Sequence, residues 1–179
     1  MEKKIKTKIL VIVDMQQDFI SGSLANPAAE KIVEPICNLI ENEEYDKIIL
    51  TRDTHDENYL NSPEGKKLPI EHCLEQTSGW CVDSRILKAL RGKKYTYENK
   101  HNFGFTGWNM SYGSFNCENI EITICGTVTS ICVVSNAIIM KAQFPNANIK
   151  VIGDLCADIT PENHEAALAV MRACQIEVI

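Results

Sequence analysis

No stretch of the sequence approaches the run of about 20 apolar residues that a membrane span requires, so neither a spanning segment nor a membrane partner is expected. Lysines do precede an apolar run at the N-terminus, Ile9 to Val13. That run stops at Asp14 with no small-residue cleavage site after it, so it reads as a buried strand rather than a secretory signal. A cytoplasmic location follows. Positive charge is also scarce. With 18 Lys and Arg against 24 Asp and Glu, the formal net charge is -6, which repels a phosphate backbone and argues against nucleic acid as a partner. Among the eight cysteines there is no C-x-x-C pair, which removes the support for a zinc-ribbon or thioredoxin-like reading. The cysteines are scattered over a mid-sized chain without a signal peptide, several inside apolar runs, so reduced thiols are expected. Internal repeats, low-complexity tracts and linkers are missing too. The 179 residues match the size of one domain, here 1–179, that buries its core without disulfide staples.

What is present is an alternation. Short apolar runs rich in Ile and Val recur at 8–13, 47–50, 120–124, 149–152 and 175–179, with a weaker sixth at 94–97. Continuous runs of this kind are how strands buried on both faces of a parallel sheet read. Helical patterns fall between them, at 27–42, 83–91, 131–143 and 161–173. Thr160-Pro161 supplies an N-cap and a first-turn proline, and Asp83 or Ser84 can cap the second helix. The pattern predicts an α/β fold with a parallel sheet flanked by helices, in which ligands bind beyond the carboxyl ends of the strands. The stretch 53–81 has no clear periodicity, and a loop of that length in a compact domain is usually functional.

Three strand ends carry reactive side chains. Asp14 follows the first strand directly, although a strand-end Asp more often caps a turn. The second strand runs into Asp53-Thr54-His55, whose i, i+2 spacing puts both side chains on one face of an extended segment, as two ligands of one metal require. Glu64 and His72 follow in the irregular loop and complete an oxygen and imidazole set suited to Zn, Fe or Mn. A solvated loop holding two of the four histidines would also satisfy that pattern. The third end is Gly126-Thr127-Val128-Thr129-Ser130-Ile131-Cys132-Val133, where a buried strand breaks at glycine and enters a helix near Cys132. A thiol at a helix N-terminus is expected to have its pKa lowered from about 8.5 by the macrodipole and free amides. A buried cysteine on an amphipathic helix is the plainer alternative.

Taken in order, Val13-Asp14-Met15-Gln16-Gln17-Asp18-Phe19, Lys100 after the weak sixth run, and Gly126-Thr127-Val128-Thr129-Ser130-Ile131-Cys132-Val133 resemble the Asp, Lys and Cys blocks of the nicotinamidase/isochorismatase-like cysteine hydrolases. The similarity extends from about Lys8 to the last helix and is closest to the metal-containing nicotinamidases. It implies a six-stranded parallel sheet, the isochorismatase-like hydrolase fold, with a non-proline cis peptide between Thr127 and Val128. It also implies a catalytic set of Asp14, Lys100 and Cys132, and an oxyanion hole from the amides of Val128 and Cys132. Asp53, His55 and His72 match the family's metal positions. A third histidine of many members is missing, and Glu64 stands as the substitute. The indole that often precedes the last ligand is also missing, Leu68-Pro69-Ile70-Glu71-His72-Cys73 being found instead.

The activity implied is hydrolysis of nicotinamide to nicotinate and ammonia through a cysteine thioester, in NAD salvage, with one divalent metal, zinc before iron or manganese. The alternative is hydrolysis of another small amide or carbamoyl compound by the same machinery. A zinc hydrolase with metal-bound hydroxide as nucleophile, and a non-catalytic protein on the same fold, leave the Asp-Lys-Cys set unexplained. Phe19 and Phe103 are candidates for an aromatic wall against a flat substrate ring, or plain core. His101 is expected near the pocket, His164 in a structural role at a helix start, and Cys73 as a packing thiol. A small-molecule amide substrate and a homo-oligomeric state complete the expectations.

Overall fold

A computed structural model describes residues 7–108 and 119–179 of the chain. Six parallel strands form one sheet: β1 (Thr7–Val13), β2 (Lys47–Asp53), β3 (Tyr95–Lys100), β4 (Ile120–Thr127), β5 (Asn148–Ala157) and β6 (Glu177–Val178), in the spatial order β3-β2-β1-β4-β5-β6. Period-2 alternation in β1 sends Leu10 and Ile12 to one face and Ile9, Val11 and Val13 to the other. On the first face lie α1 (Gln17–Ile20), α2 (Pro27–Asn42) and α3 (Ser84–Ala89), with Ile32, Val33, Ile36 and Ile40 of α2 packed against the strands. The second face takes α4 (Val134–Gln143) and α5 (Pro161–Ala173) through Ala137, Met140, Leu168 and Met171. None of the described helices is long and apolar enough to cross a membrane.

The caps follow the residue chemistry. Asn26 accepts from the Ala28 amide ahead of Pro27, Asp83 from the Arg85 amide, and Thr160 from the Asn163 amide ahead of Pro161. All six predicted strands are present, with altered ends. β2, β3 and β4 run past their apolar cores to Asp53, Lys100 and Thr127, which carries polar side chains to the sheet's carboxyl edge. β5 is longer than its Ile-Val run because a register shift opposite 124–126 lets Cys156 and Ala157 pair with Gly126 and Thr127. β6 is shorter than expected, and the four-residue α1 gave no periodic signal.

From β1 the chain winds outward through β2 and β3 on one side, then returns to β4 beside β1 and winds outward on the other. The crevice between the carboxyl ends of β1 and β4 is therefore the topological switch point at which a doubly wound sheet binds ligands. Gly126 makes that crevice tight. Its φ of +124° is accessible to glycine alone, and a Cβ there would collide with the Val13 carbonyl oxygen.

Candidate active site and metal cluster

The switch point gathers side chains from four strand ends. Asp14 follows β1 directly with a left-handed φ of +50°, uncommon for a residue with a side chain, and is wholly buried. Its amide and carboxylate both engage Thr51 of β2: the Asp14 N–H donates to Oγ1 at 3.2 Å, and that hydroxyl donates to Oδ1 at 2.6 Å. Lys100, at the end of β3, reaches across β2. Its Nζ lies 2.6 Å from Asp14 Oδ2, 3.3 Å from Asp53 Oδ1 and 3.5 Å from Cys132 Sγ.

Cys132 sits in a π-helical turn, Thr129–Val133, between β4 and α4, so the helix begins earlier than its periodicity indicates and opens with a wider turn. The Thr127–Val128 peptide is cis, as the family resemblance implies. Asp158 clamps this turn by accepting the Ser130 amide at 2.6 Å, and the Thr129 hydroxyl meets His164 Nδ1 at 2.9 Å, which gives His164 the structural role expected of it.

The charges around the thiol overturn one expectation. Burial pushes the Cys132 thiol well above its ordinary value, and the neighbouring Asp14 carboxylate pushes it further, with only Lys100 opposing strongly. Burial and the carboxylates outweigh the ammonium, so the shift runs opposite to the one expected of a thiol at a helix start. Burial likewise raises Asp14, against the pull of Lys100. Lys100 is raised despite its burial, held charged by Asp14, Cys132 and Asp53. Burial thus works against charge on both Cys132 and Asp14, and Lys100 is the cation that opposes it at each.

Beside this trio, the donor atoms of Asp53, His55, Glu64 and His72 converge to within 4.8 Å of one another. Asp53 Oδ2 is 3.0 Å from His55 Nε2 and 3.5 Å from His72 Nε2, and Glu64 Oε1 is 3.9 Å from each. His72 Nδ1 lies 2.8 Å from the Ile70 carbonyl, which accepts the ring proton there and turns Nε2 toward the cluster. Asp18 fixes the neighbouring backbone by accepting the Cys73 amide at 2.7 Å. Burial opposes ionisation of Asp53, yet its bonds to His55 and His72 and the charge of Lys100 hold it below the usual carboxylate range. Asp14 and Asp53 thus share one ammonium while Glu64 adds a third carboxylate beside the two imidazoles, and that excess of negative charge suits a divalent cation.

One cavity of about 470 Å³ joins the two groups, an ordinary size for a small-molecule site. Asp53, Glu64 and His72 line one part of it and Cys132, Val128 and Thr127 another, between walls that include Phe19, Leu24, Leu68, Phe103, Ile131 and Ile159. Phe19 packs on His72 with centroids 5.7 Å apart, while Phe103 is 46% exposed and Ile159 69% exposed. His101 is not among the lining residues; its Nδ1 bonds to the Thr54 carbonyl at 2.9 Å. Cys73 is a buried packing thiol, pushed up by its burial. The other described cysteines are free as well, while Cys117 lies outside the described residues. Two residues that the sequence reading did not single out belong here: Thr51, whose role depends on the β1/β2 pairing, and Tyr59. Tyr59 packs on His55 and His72 at 4.5 and 4.9 Å and donates its hydroxyl hydrogen to the Leu68 carbonyl.

The family model described as the Isochorismatase domain matches residues 8–179. The nicotinamidase of Saccharomyces cerevisiae is 39% identical over 64 residues, 34% of this chain and 30% of that protein, so the match spans under a third of that relative. The nicotinamidase/pyrazinamidase of Mycobacterium tuberculosis is 26% identical over 191 aligned residues, covering 96% of this chain and 98% of the relative. Among solved structures, the pyrazinamidase of Pyrococcus horikoshii in complex with zinc superposes with a TM-score of 0.72 at 24% identity, over 97% of this chain and 98% of that one. The N-carbamoylsarcosine amidase of Thermoplasma acidophilum does so with a TM-score of 0.73 at 23% identity, over 96% and 95%. Those two likenesses establish the fold.

Proposed function

The chain belongs to the isochorismatase domain family, and from that premise we propose that it hydrolyses nicotinamide to nicotinate and ammonia with Cys132 as nucleophile. The observation that carries the reading is one apolar-walled cavity with the thiol in one part and, in the other, Asp53, Glu64 and His72 of the four-residue cluster that His55 completes. A flat heteroaromatic amide suits such a site. Its carboxamide carbon meets the sulfur, its ring lies between Phe19 and Phe103, and its ring nitrogen faces the cluster.

In the proposed mechanism Asp14 takes the proton of the Cys132 thiol as sulfur attacks the amide carbon. Lys100 lies within 3.5 Å of both the donor sulfur and the acceptor oxygen, so its charge serves the carboxylate before transfer and the sulfur after it without moving. The C=O electrons pass to oxygen, which the Val128 and Cys132 amides receive. One preorganised donor of this kind is worth about 2.7–4 kcal/mol of barrier. Collapse of that oxyanion breaks the C–N bond, and protonated Asp14 returns its proton to the departing ammonia. Water, deprotonated by Asp14, then opens the thioester to nicotinate and the free thiol.

Asp53, His55, Glu64 and His72 fit a divalent cation, with zinc the first choice and iron or manganese acceptable to the same donors. When bound it supplies positive charge and an open position for a ring nitrogen lone pair. The chain's own part is to orient: the Ile70 carbonyl fixes the His72 tautomer, and Tyr59 and Phe19 hold the rings.

The alternative, an amidase acting on a carbamoyl compound, draws support from the fold shared with the N-carbamoylsarcosine amidase. Against it stands the lining, which includes no Arg or Lys among the described residues to receive a substrate carboxylate. The test is ammonia release from nicotinamide, pyrazinamide, benzamide and N-carbamoylsarcosine, with metal content measured on the same sample. Nicotinamide should lead, and benzamide, which has no ring nitrogen, should trail. Preference for the carbamoyl compound reverses the assignment.

A further inference from the structure

Gln16 is wholly buried two residues beyond Asp14, and both ends of its carboxamide are occupied. Its Oε1 accepts the Asp53 amide at 2.7 Å, while its Nε2 donates to the Asp53 carbonyl at 2.9 Å and to the Trp80 carbonyl at 2.9 Å. Its own backbone forms an isolated antiparallel bridge with Val82, and its N–H donates to the Asp14 carbonyl at 2.8 Å. One side chain thus ties together the end of β1, the end of β2 and the loop that returns from His72. The peptide it grips on both sides belongs to Asp53, whose carboxylate is divided between Lys100 and the two histidines.

We propose that Gln16 is a positioning residue: by locking the Asp53 peptide it sets the carboxylate where it serves the metal cluster through one oxygen and the Lys100-Cys132 network through the other. The metal half of this rests on the ligand assignment above; the thiol half does not. A buried amide with every donor and acceptor satisfied has little freedom, and a residue that grips the peptide of its target holds the side chain's starting point as well. Gln16→Met keeps the length and removes all three bonds. Gln16→Asn keeps the amide but is one methylene short of spanning both Asp53 and Trp80.

The experiment compares both variants with Ile36→Val, a core truncation in α2 that reports plain loss of stability. Zinc affinity is measured by competition with a chromophoric chelator. The rate of Cys132 alkylation by iodoacetamide in metal-free protein is measured by peptide mass spectrometry. Neither readout involves an amide substrate, so both stand apart from the failure of the nicotinamide assignment. Gln16→Met should weaken zinc binding by about 10–100-fold, the usual effect of losing a group that orients a ligand. It should also alkylate faster, since a displaced Asp53 no longer competes for Lys100 or raises the thiol. Gln16→Asn should fall between. Ile36→Val should leave both readouts unchanged. If Gln16→Met does not fold, Gln16→Asn carries the same comparison. If the wild-type chain takes up no zinc, alkylation decides alone. Unchanged alkylation in the folded variants, or a change matched by Ile36→Val, overturns the proposal.

Discussion

The Asp53 carboxylate lies 3.3 Å from the Lys100 ammonium through Oδ1 while its Oδ2 lies 3.0 Å from His55, so a single side chain joins the thiol's charge network to the His55-Glu64-His72 group. A divalent ion that takes up the Asp53 charge leaves Lys100 to Asp14 and sulfur, and lowers the cost of the thiolate. Zinc should therefore accelerate alkylation of Cys132 at neutral pH, and a strong chelator should slow it. Nicotinamide binding should suffer more than alkylation does, because the ring nitrogen loses its partner outright. Equal alkylation rates with and without zinc would mean that the two halves of the site are not coupled.

Asp14 and Lys100 act on the thiol with opposite signs, which allows their roles to be separated. Asp14→Asn removes an anion that holds the Cys132 pKa up, so its alkylation at pH 7 should quicken. Ammonia release should nevertheless fall by about 100- to 10,000-fold, since the proton acceptor is gone. Lys100→Met removes the cation that holds the same pKa down, so alkylation and turnover should both slow. That variant also leaves buried carboxylates uncompensated, a change that costs about 3–5 kcal/mol and should show in Tm. Cys132→Ala should fold, bind nicotinamide and release no ammonia. Ammonia release at wild-type rate from Cys132→Ala would sink the cysteine mechanism.

The strand cores were legible because residues buried on both faces leave runs of Ile and Val. The strand ends were not. Lys100 is a polar residue closing an edge strand that is largely exposed, and β5 passes through Gly153-Asp154, which reads as a turn until its register against β4 is known. The common face of Asp53 and His55 could be read locally, since two residues of extended chain fix it. Their sharing of one carboxylate with Lys100 could not, because it depends on β2 pairing with β3. The Cys132 thiol shows the same division. Its place at a helix start is written in the turn, but its burial and its carboxylate neighbour come from β1, a strand more than a hundred residues earlier, and they reverse the expected shift.

Away from the site, Asp83 offers a test of stability against pH. It caps α3 through the Arg85 amide at 2.8 Å and pairs with the Arg85 guanidinium, which also holds Glu30. Burial opposes its ionisation, but the bonds to Arg85 prevail and hold its pKa below the ordinary value. A depressed carboxylate contributes stability that is present above the unfolded pKa of about 3.9 and is lost as pH falls through the folded value. Asp83→Ala should cost about 0.5–2 kcal/mol at pH 7. The gap from wild type in urea denaturation should narrow toward pH 3. A gap that stays constant or widens on acidification would show that the carboxylate charge does not stabilise the fold.

Glu64 is the residue that separates the proposed metal site from the rest of the chemistry. Its side chain is 25% exposed and its Oε1 approaches both imidazoles at 3.9 Å, whereas Asp53, the other carboxylate of the cluster, is nearly buried and also serves Lys100. Replacing Glu64 with Ala removes a charged oxygen donor and leaves Asp14, Lys100 and Cys132 as they were. Zinc affinity should fall by at least the roughly 10–100-fold seen when a mere supporting partner of a ligand is lost. The metal-free variant should alkylate at Cys132 at the wild-type rate, and at saturating zinc its KM for nicotinamide should recover ahead of any change in kcat. Asp53→Ala should instead disturb both readouts at once, being common to the two networks. If Glu64→Ala bound zinc as tightly as the wild type, the cluster would reduce to Asp53, His55 and His72, and the carboxylate at position 64 would be a wall of the cavity rather than a ligand.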